Sequence, residues 1–183
     1  MKIEKARQIA TKTGDNGTSR NYSGDVLSKA DQLFAALGAI DEANSLIGIA
    51  THYVAIPELR TIQIALGKLS SQIATNPEDP KMKLLNKVTI SDVDCLENTM
   101  ELLLKDHPLE PIFSLPGSDT TKGGAYLDVA RATTRRAERE LVSFIIDKKR
   151  DDLVTGLAYL NRLSDLLFVY TKVQSVTQTK KTE

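Results

Sequence analysis

The stretch Lys122-Gly-Gly-Ala-Tyr-Leu-Asp-Val-Ala-Arg-Ala-Thr-Thr-Arg-Arg-Ala-Glu-Arg-Glu-Leu-Val-Ser-Phe-Ile-Ile-Asp147 decides the fold. Counted at roughly 100° per residue from Leu127, Ala130, Thr134, Ala137, Leu141 and Ile145 fall on one apolar sector, the pattern of a helix packed against a core. Glu138 lies about 20° and Arg131 about 40° from Leu127, so two charges point partly inward. Arg135 and Arg139 continue its edge, whereas Arg136 lies on the far side and is most readily explained as solvated. A buried guanidinium or carboxylate is costly unless paired, so the inward groups need partners or a ligand. A structural ion-pair network satisfies them equally well at this point.

The same period recurs on either side. The next helix is expected from about Asp151 to Val176 after a short connection, which makes the two antiparallel neighbours. On it Asn161 shares a stripe with Leu157, Ser164 and Phe168, and Asp165 is placed to meet Arg162 or a cation on an adjacent helix. Upstream, one long helix is expected from about Lys29 to Tyr53, with Asp41 a candidate counter-ion for Arg131. A second starts near Pro57 and ends before Asn76-Pro77. A third opens at a capping-box pattern in Ser91-Asp92-Val93-Asp94 and stops before His107-Pro108. Strict alternation over a strand's length is hard to find, so the chain reads as one all-α domain over residues 1–183. Residues 1–9 form an N-terminal arm, and the polar tail 174–183, which lacks a core-facing period, is expected to fray.

Composition narrows the function classes. The 183 residues carry 24 Lys+Arg against 24 Asp+Glu, which gives no basic excess to neutralise a nucleic-acid backbone. One cysteine, Cys95, cannot close an internal disulfide, and with His52 and His107 it makes no zinc spacing. A reducing, cytoplasmic setting is expected. The N-terminus has charge but no apolar signal region, and no run approaches the ~18 to 20 consecutive apolar residues of a membrane span.

Two segments fit no helix, Ala10 to Gly24 and Pro111 to Gly124, and function is expected there rather than in helix middles. Thr11-Lys12-Thr13-Gly14-Asp15-Asn16-Gly17-Thr18-Ser19 combines glycines, hydroxyls and a lysine, the chemistry of a phosphate cradle. It lacks the order of a Walker A loop, and an ordinary polar arm has the same composition.

Five segments in order resemble the PduO-type ATP:cob(I)alamin adenosyltransferases. They are Thr11-Lys12-Thr13-Gly14-Asp15, Gly38-Ala39-Ile40-Asp41-Glu42-Ala43-Asn44-Ser45, Phe113-Ser114-Leu115-Pro116-Gly117, Ala130-Arg131 with Arg135-Arg136-Ala137-Glu138-Arg139, and Tyr159-Leu160-Asn161-Arg162-Leu163-Ser164-Asp165. The resemblance runs from about residue 10 to about residue 172. It implies a ferritin-like five-helix bundle assembled as a homotrimer, with ATP and a corrinoid bound between subunits. Thr11, Lys12, Thr13, Gly14, Ser19, Arg20 and Lys29 then match the segment that wraps the triphosphate. Arg135, Arg136, Glu138, Arg139 and Asn161 match nucleotide-contacting positions, and Asp41 with Arg131 an intersubunit pair. Phe113 matches the aromatic residue that closes the lower face of the corrin ring.

The implied reaction transfers the 5′-deoxyadenosyl group of ATP to cob(I)alamin, with Mg²⁺ accompanying the nucleotide and no protein side chain marked as a metal ligand. It implies two partners, a reductant that supplies Co(I) and an adenosylcobalamin-dependent enzyme that takes the product. The chain departs from the family pattern at Ala10, Asn16 and Leu37 and in Ser118-Asp119-Thr120-Thr121, which is longer than the usual glycine-rich turn. A non-catalytic corrinoid- or nucleotide-binding bundle, and a structural bundle whose inward charges pair with each other, are the alternatives.

Overall fold

The computed structural model describes residues 3–112, 115–118 and 120–179. Five helices form the bundle: α1 Gln32–Ala50, α2 Glu58–Ile73, α3 Ile90–Asp106, α4 Lys122–Lys148 and α5 Val154–Thr179. Two short strands, β1 Thr18–Arg20 and β2 Val26–Ser28, pair antiparallel as a hairpin before α1, with Ser19 opposite Leu27. The helices match the periodic segments, but the hairpin contradicts the all-helical expectation, because three residues a side are too few for alternation to show.

Helix α4 packs most extensively on α1 and α5, while α2 lies on α1 and α3 on α5. Its inward face includes the expected Leu127, Ala130, Thr134, Ala137 and Leu141, all buried, but at its end Phe144 is buried where Ile145 was expected and Ile145 is only half-buried. Gly123 lets the start of α4 lie against the segment that follows α1, and Gly124 leaves room for Thr120 of the preceding loop. A Cβ on Gly123 would stand 2.4 Å from Val54 Cγ1, and one on Gly124 would stand 2.0 Å from Thr120 Oγ1. The Thr120-Thr121 loop that departs from the family pattern closes this joint, since Thr121 Oγ1 accepts from Gly124 N–H at 2.9 Å as the N-cap.

Helix boundaries differ from expectation where local polar groups win. Asp31 caps α1, accepting from Leu33 N–H at 2.9 Å, so Lys29 falls outside the helix and its N–H bonds Gly17 O at 2.8 Å. The capping box of α3 is Thr89 with Asp92, the same spacing as Ser91 with Asp94 but two residues earlier. Helix α5 begins at Val154 and continues to Thr179, against the expected span of about Asp151 to Val176. By length and hydropathy α1 is the one described helix long and apolar enough to cross a membrane, a feature that counting consecutive apolar residues passes over. Its Leu33, Ala36, Ala39, Ile40, Ala43, Ile47 and Ala50 instead build the bundle core.

The α4–α5 corner is fixed by Arg150, only 4% exposed. Its guanidinium donates to both oxygens of Asp152 (2.7 and 2.8 Å) and to the carbonyls of Gln72 (3.0 Å) and Ile73 (3.4 Å) at the end of α2. Burial pushes the Asp152 carboxyl up, but the hydrogen bonds and charge of Arg150 outweigh it and hold the group below the usual carboxylate range. A depressed carboxylate stabilises the fold above its unfolded pKa and loses that contribution as pH falls through its folded value. Arg150→Met is therefore expected to cost on the order of 3 kcal/mol in urea unfolding at pH 7. The difference from wild type should begin to shrink below about pH 4 and vanish as pH falls through the depressed folded value of Asp152, below which the carboxyl is protonated in both proteins; a difference constant across that range would contradict the role of the pair.

Candidate functional site

The polar N-terminal segment folds into a cleft. Thr13, Gly14, Asn16, Thr18, Ser19, Arg20, Val26 and Lys29 line a cavity of about 620 Å³. Lys12 adopts a left-handed backbone (φ 61°), as does Gly17 (φ 81°), and these two turns fold the segment over the hairpin. Asn16, where the family pattern commonly has lysine, closes the loop by accepting from Thr18 N–H at 3.3 Å and from Thr18 Oγ1 at 2.6 Å. A Cβ on Gly14 would meet Lys29 Nζ and Thr18 O, each at 3.1 Å, so the glycine leaves room for the lysine to reach the cleft. Arg20 is steadied by donating to Gly24 O at 2.8 Å. Thr11 sits beside the lining, its hydroxyl 3.0 Å from that of Thr13. Of the segment read from composition as a cradle, Thr13, Gly14, Asn16, Thr18 and Ser19 line this concave surface, while Lys12 does not, and the cations on it are Arg20 and Lys29.

A second, largely apolar groove runs along α4 and α5. One part, about 370 Å³, is lined by Met100, Leu104, Leu109, Arg131, Arg135, Ser164, Asp165, Phe168 and Val169. The other, about 300 Å³, continues past Arg131 and Phe168 to Ile112, Leu115 and Pro116. Phe113, Ser114 and Asp119 lie outside the described residues, so the placement of the Phe113 ring is not part of this geometry. Its chain neighbours Ile112 and Leu115 are exposed and line the groove. Phe168, expected on the inward stripe of α5, is 44% exposed and faces both parts of the groove. At 100° per residue Phe168 stays within about 20° of Leu157, so the stripe does not drift; with Leu157 and Asn161 only half-buried, it runs along the border of the core and not through its centre.

The charges of α4 divide as the helix wheel suggests, with two corrections. Glu138 and Asn161 meet between α4 and α5, Asn161 Nδ2 donating to Glu138 Oε1 at 2.8 Å. Asn161 Oδ1 also accepts from Arg162, which pairs with Asp165 at 3.2 Å and approaches Glu97 of α3 at 3.8 Å. Within the chain Arg131 pairs with Asp128, three residues earlier, at 2.7 Å and not with Asp41. Residues at that spacing share a helix face, a signal present in the sequence but not used. Asp41 is exposed on α1 and makes no side-chain ion pair among the described residues. Arg136, expected to be solvated, is exposed but pairs with Glu42 of α1. Arg139 donates to the backbone carbonyl of Arg135 at 3.1 Å, while Arg135 has no acidic partner among the described residues. Among those residues, no group of three or more His, Cys, Asp or Glu converges as a metal site.

The family model described as Cobalamin adenosyltransferase matches residues 9–174, which takes in the cleft, the groove, α1 to α4 and most of α5. The chain belongs to the cobalamin adenosyltransferase family. Similar members of the family include corrinoid adenosyltransferase MMAB of Bos taurus, 35% identical over 91% of this chain and 71% of that protein. The corrinoid adenosyltransferase of Mycobacterium tuberculosis is 34% identical over 91% of this chain and 88% of that one. Among solved structures, a phenylalanine-to-alanine variant of the PduO-type ATP:corrinoid adenosyltransferase of Lactobacillus reuteri, complexed with cobalamin and ATP, superposes with a TM-score of 0.82 at 30% identity. That match covers 94% of this chain and 95% of the other. An arginine-to-lysine variant of the same enzyme, complexed with ATP, gives 0.82 at 30% identity over 93% and 96%.

For this member of the cobalamin adenosyltransferase family, the cleft gives a direct test. Gly14→Val places a branched side chain where Lys29 Nζ and Thr18 O now approach, so ATP affinity is expected to fall at least tenfold with the helical circular dichroism unchanged. Titration calorimetry with MgATP checks this, and undiminished affinity would remove the cleft from consideration.

Proposed function

We propose that the chain transfers the 5′-deoxyadenosyl group of ATP to cob(I)alamin, forming adenosylcobalamin and triphosphate. The observation that carries this is the cleft lined by Thr13, Gly14, Ser19, Arg20 and Lys29, in a chain of this family that also holds an apolar groove bordered by Arg131 and Arg135. The cobalt of cob(I)alamin is itself the nucleophile: its electron pair forms the Co–C5′ bond as the C5′–O bond breaks, and triphosphate leaves. The protein's work is alignment, charge neutralisation and control of the corrin's lower face. Lys12, Lys29 and Arg135 tether the triphosphate, which enters as its Mg²⁺ complex, and stabilise charge on the leaving group. Thr11, Thr13, Gly14, Ser19 and Arg20 wrap it. Glu138 and Asn161 hold the nucleoside end, with Arg136 and Arg139 flanking them. Phe113 closes the lower face of the corrinoid.

The working unit in this reading is a homotrimer with sites between subunits. Two features support it. Within one chain the cleft and the arginine-bearing face of α4 line different cavities, and Asp41 and Arg135 lack charged partners among the described residues. A cyclic assembly brings the cleft of one subunit to α4 of the next and pairs Asp41 with Arg131 across the interface. The setting is cytoplasmic, with a reductant supplying Co(I) and an adenosylcobalamin-dependent enzyme accepting the product. The non-catalytic binding bundle is not favoured, because the relatives matched across nearly the whole chain bear the name of the enzyme.

Purified protein with MgATP and chemically reduced cobalamin under anaerobic conditions should convert the cob(I)alamin spectrum to that of adenosylcobalamin; no product above the protein-free control refutes the reading. In that assay Arg135→Ala, Arg136→Ala and Glu138→Ala are expected to lose at least 100-fold in turnover while keeping their helix content. Normal turnover in Arg136→Ala would return that residue to a purely structural pair with Glu42.

Phe113→Ala should keep ATP affinity, lose activity when cob(II)alamin must be reduced on the enzyme, and retain much more with preformed cob(I)alamin. Equal loss in both assays, together with the ~3 to 5 kcal/mol destabilisation of an emptied aromatic core site, would make Phe113 a packing residue. Sedimentation should give a trimer, and a monomer at assay concentrations would overturn the intersubunit site.

A further inference from the structure

The β1–β2 hairpin is too small to hold its own position. A two-stranded ribbon of this size is at best marginal in water. It nevertheless carries Thr18, Ser19 and Arg20, with Lys29 just past its end, all of them lining the cleft. Its turn, residues 21–25, is fastened to the C-terminal end of α2. Tyr22 N–H donates to Ala74 O at 2.7 Å, and Asn76 N–H donates to Ser23 Oγ at 2.9 Å. At the centre stands the Asn76 side chain. Its Nδ2 donates to Asp25 Oδ2 at 2.6 Å, and its Oδ1 accepts from Asn21 Nδ2 at 3.0 Å. Asn21, buried, closes the ring: its Nδ2 also donates to Asp25 Oδ2 at 3.2 Å, and its Oδ1 accepts from Asp25 N–H at 2.8 Å. Lys81 adds a bond from Nζ to Tyr22 O at 3.0 Å.

None of Asn21, Asp25 or Asn76 lines the cleft, so any influence on a bound nucleotide passes through the hairpin backbone. Asn21 is the next residue after Arg20, and Asp25 the one before Val26, so the ring clamps both strands at their shared end. We propose that Asn76 is a positioning residue for the nucleotide, acting through Asn21 and Asp25 to fix the hairpin that presents Ser19, Arg20 and Lys29 to the triphosphate. This rests on the assignment of the cleft as the ATP site. Without the clamp the hairpin samples several placements over α2, and the ordering cost falls on ATP binding.

The test is steady-state kinetics of the full-length enzyme with Asn76→Ala, Asn76→Asp, Asp25→Asn and the double exchange Asn76→Asp with Asp25→Asn. Asn76→Ala removes two hydrogen bonds and is expected to raise the KM for ATP about tenfold, leaving kcat and the KM for cobalamin within twofold. Asn76→Asp sets two carboxylates against each other and should be worse. The double exchange restores one carboxylate facing two amide donors and should recover most of the ATP KM, a coupling that simple loss of stability would not produce. In Asn76→Ala, hydrogen exchange at residues 19–28 should speed up while α4 is unchanged.

An ATP KM unchanged in all three single variants overturns the proposal, as does a fall of kcat and of the urea midpoint accompanied by a rise of both KM values alike. Failure of the underlying assignment looks different. Lys29→Ala, which alters the cleft directly, would then also leave the ATP KM unchanged, and the proposal would fall with it.

Discussion

The carbonyls at the C-terminal end of α2 are the constraint around which this molecule is organised. A helix leaves its last turn of carbonyl oxygens without intrahelical donors, and a buried end must find donors elsewhere. Here the Ala74 N–H and the Thr75 hydroxyl serve Ser70 and Ser71 from within the turn. Gln72 and Ile73 take the guanidinium of Arg150 from the α4–α5 corner, and Ala74 takes the N–H of Tyr22 from the hairpin. One helix end thus orients both halves of the functional surface: the corner that sets α4 against α5, and the ribbon that carries the cleft. Arg150 can be buried because Asp152 supplies its counter-charge and the ring of Phe144 lies beneath it, 5.7 Å from the guanidinium carbon.

The helix that carries the arginines meets a further demand. Helix α4 contacts both α1 and α5, and several of its charged groups find partners along the borders of those contacts. Glu138 takes the amide of Asn161, Arg131 takes Asp128, and Arg136 reaches Glu42. Arg135 opens onto the groove. Salt bridges this exposed contribute little to stability, so their placement is better understood as orientation of the surface than as support for the fold.

The helices were legible because each buries a stripe at the 3.6-residue period, and the inward lean of Arg131 and Glu138 followed from the same counting. The hairpin was not, since its strands are three residues long and stand at the margin of the bundle, where hydrogen bonds to α2 decide the conformation more than burial does. The phosphate-cradle chemistry of residues 11–19 could be read from residue type. That Lys29 belongs with it, through room left by Gly14, depends on a fold-back that no local pattern encodes; the family resemblance supplied it. Arg136 is exposed, as a wheel centred on Leu127 implies, but a wheel drawn for one helix does not show that Glu42 of α1 lies within its reach.

The glycine pair at the start of α4 has a consequence far from where it sits. Helix α4 is a stiff rod, and at 1.5 Å per residue Gly123 lies about 18 Å along it from Arg135. Any side chain forced between this end and Val54 or Thr120 acts as a wedge under one end of a lever, and the far span swings in proportion. Val54 and Thr120 thereby join the determinants of site geometry without approaching a ligand, and damage at this joint would present as a defect in chemistry in a protein whose overall fold looks intact.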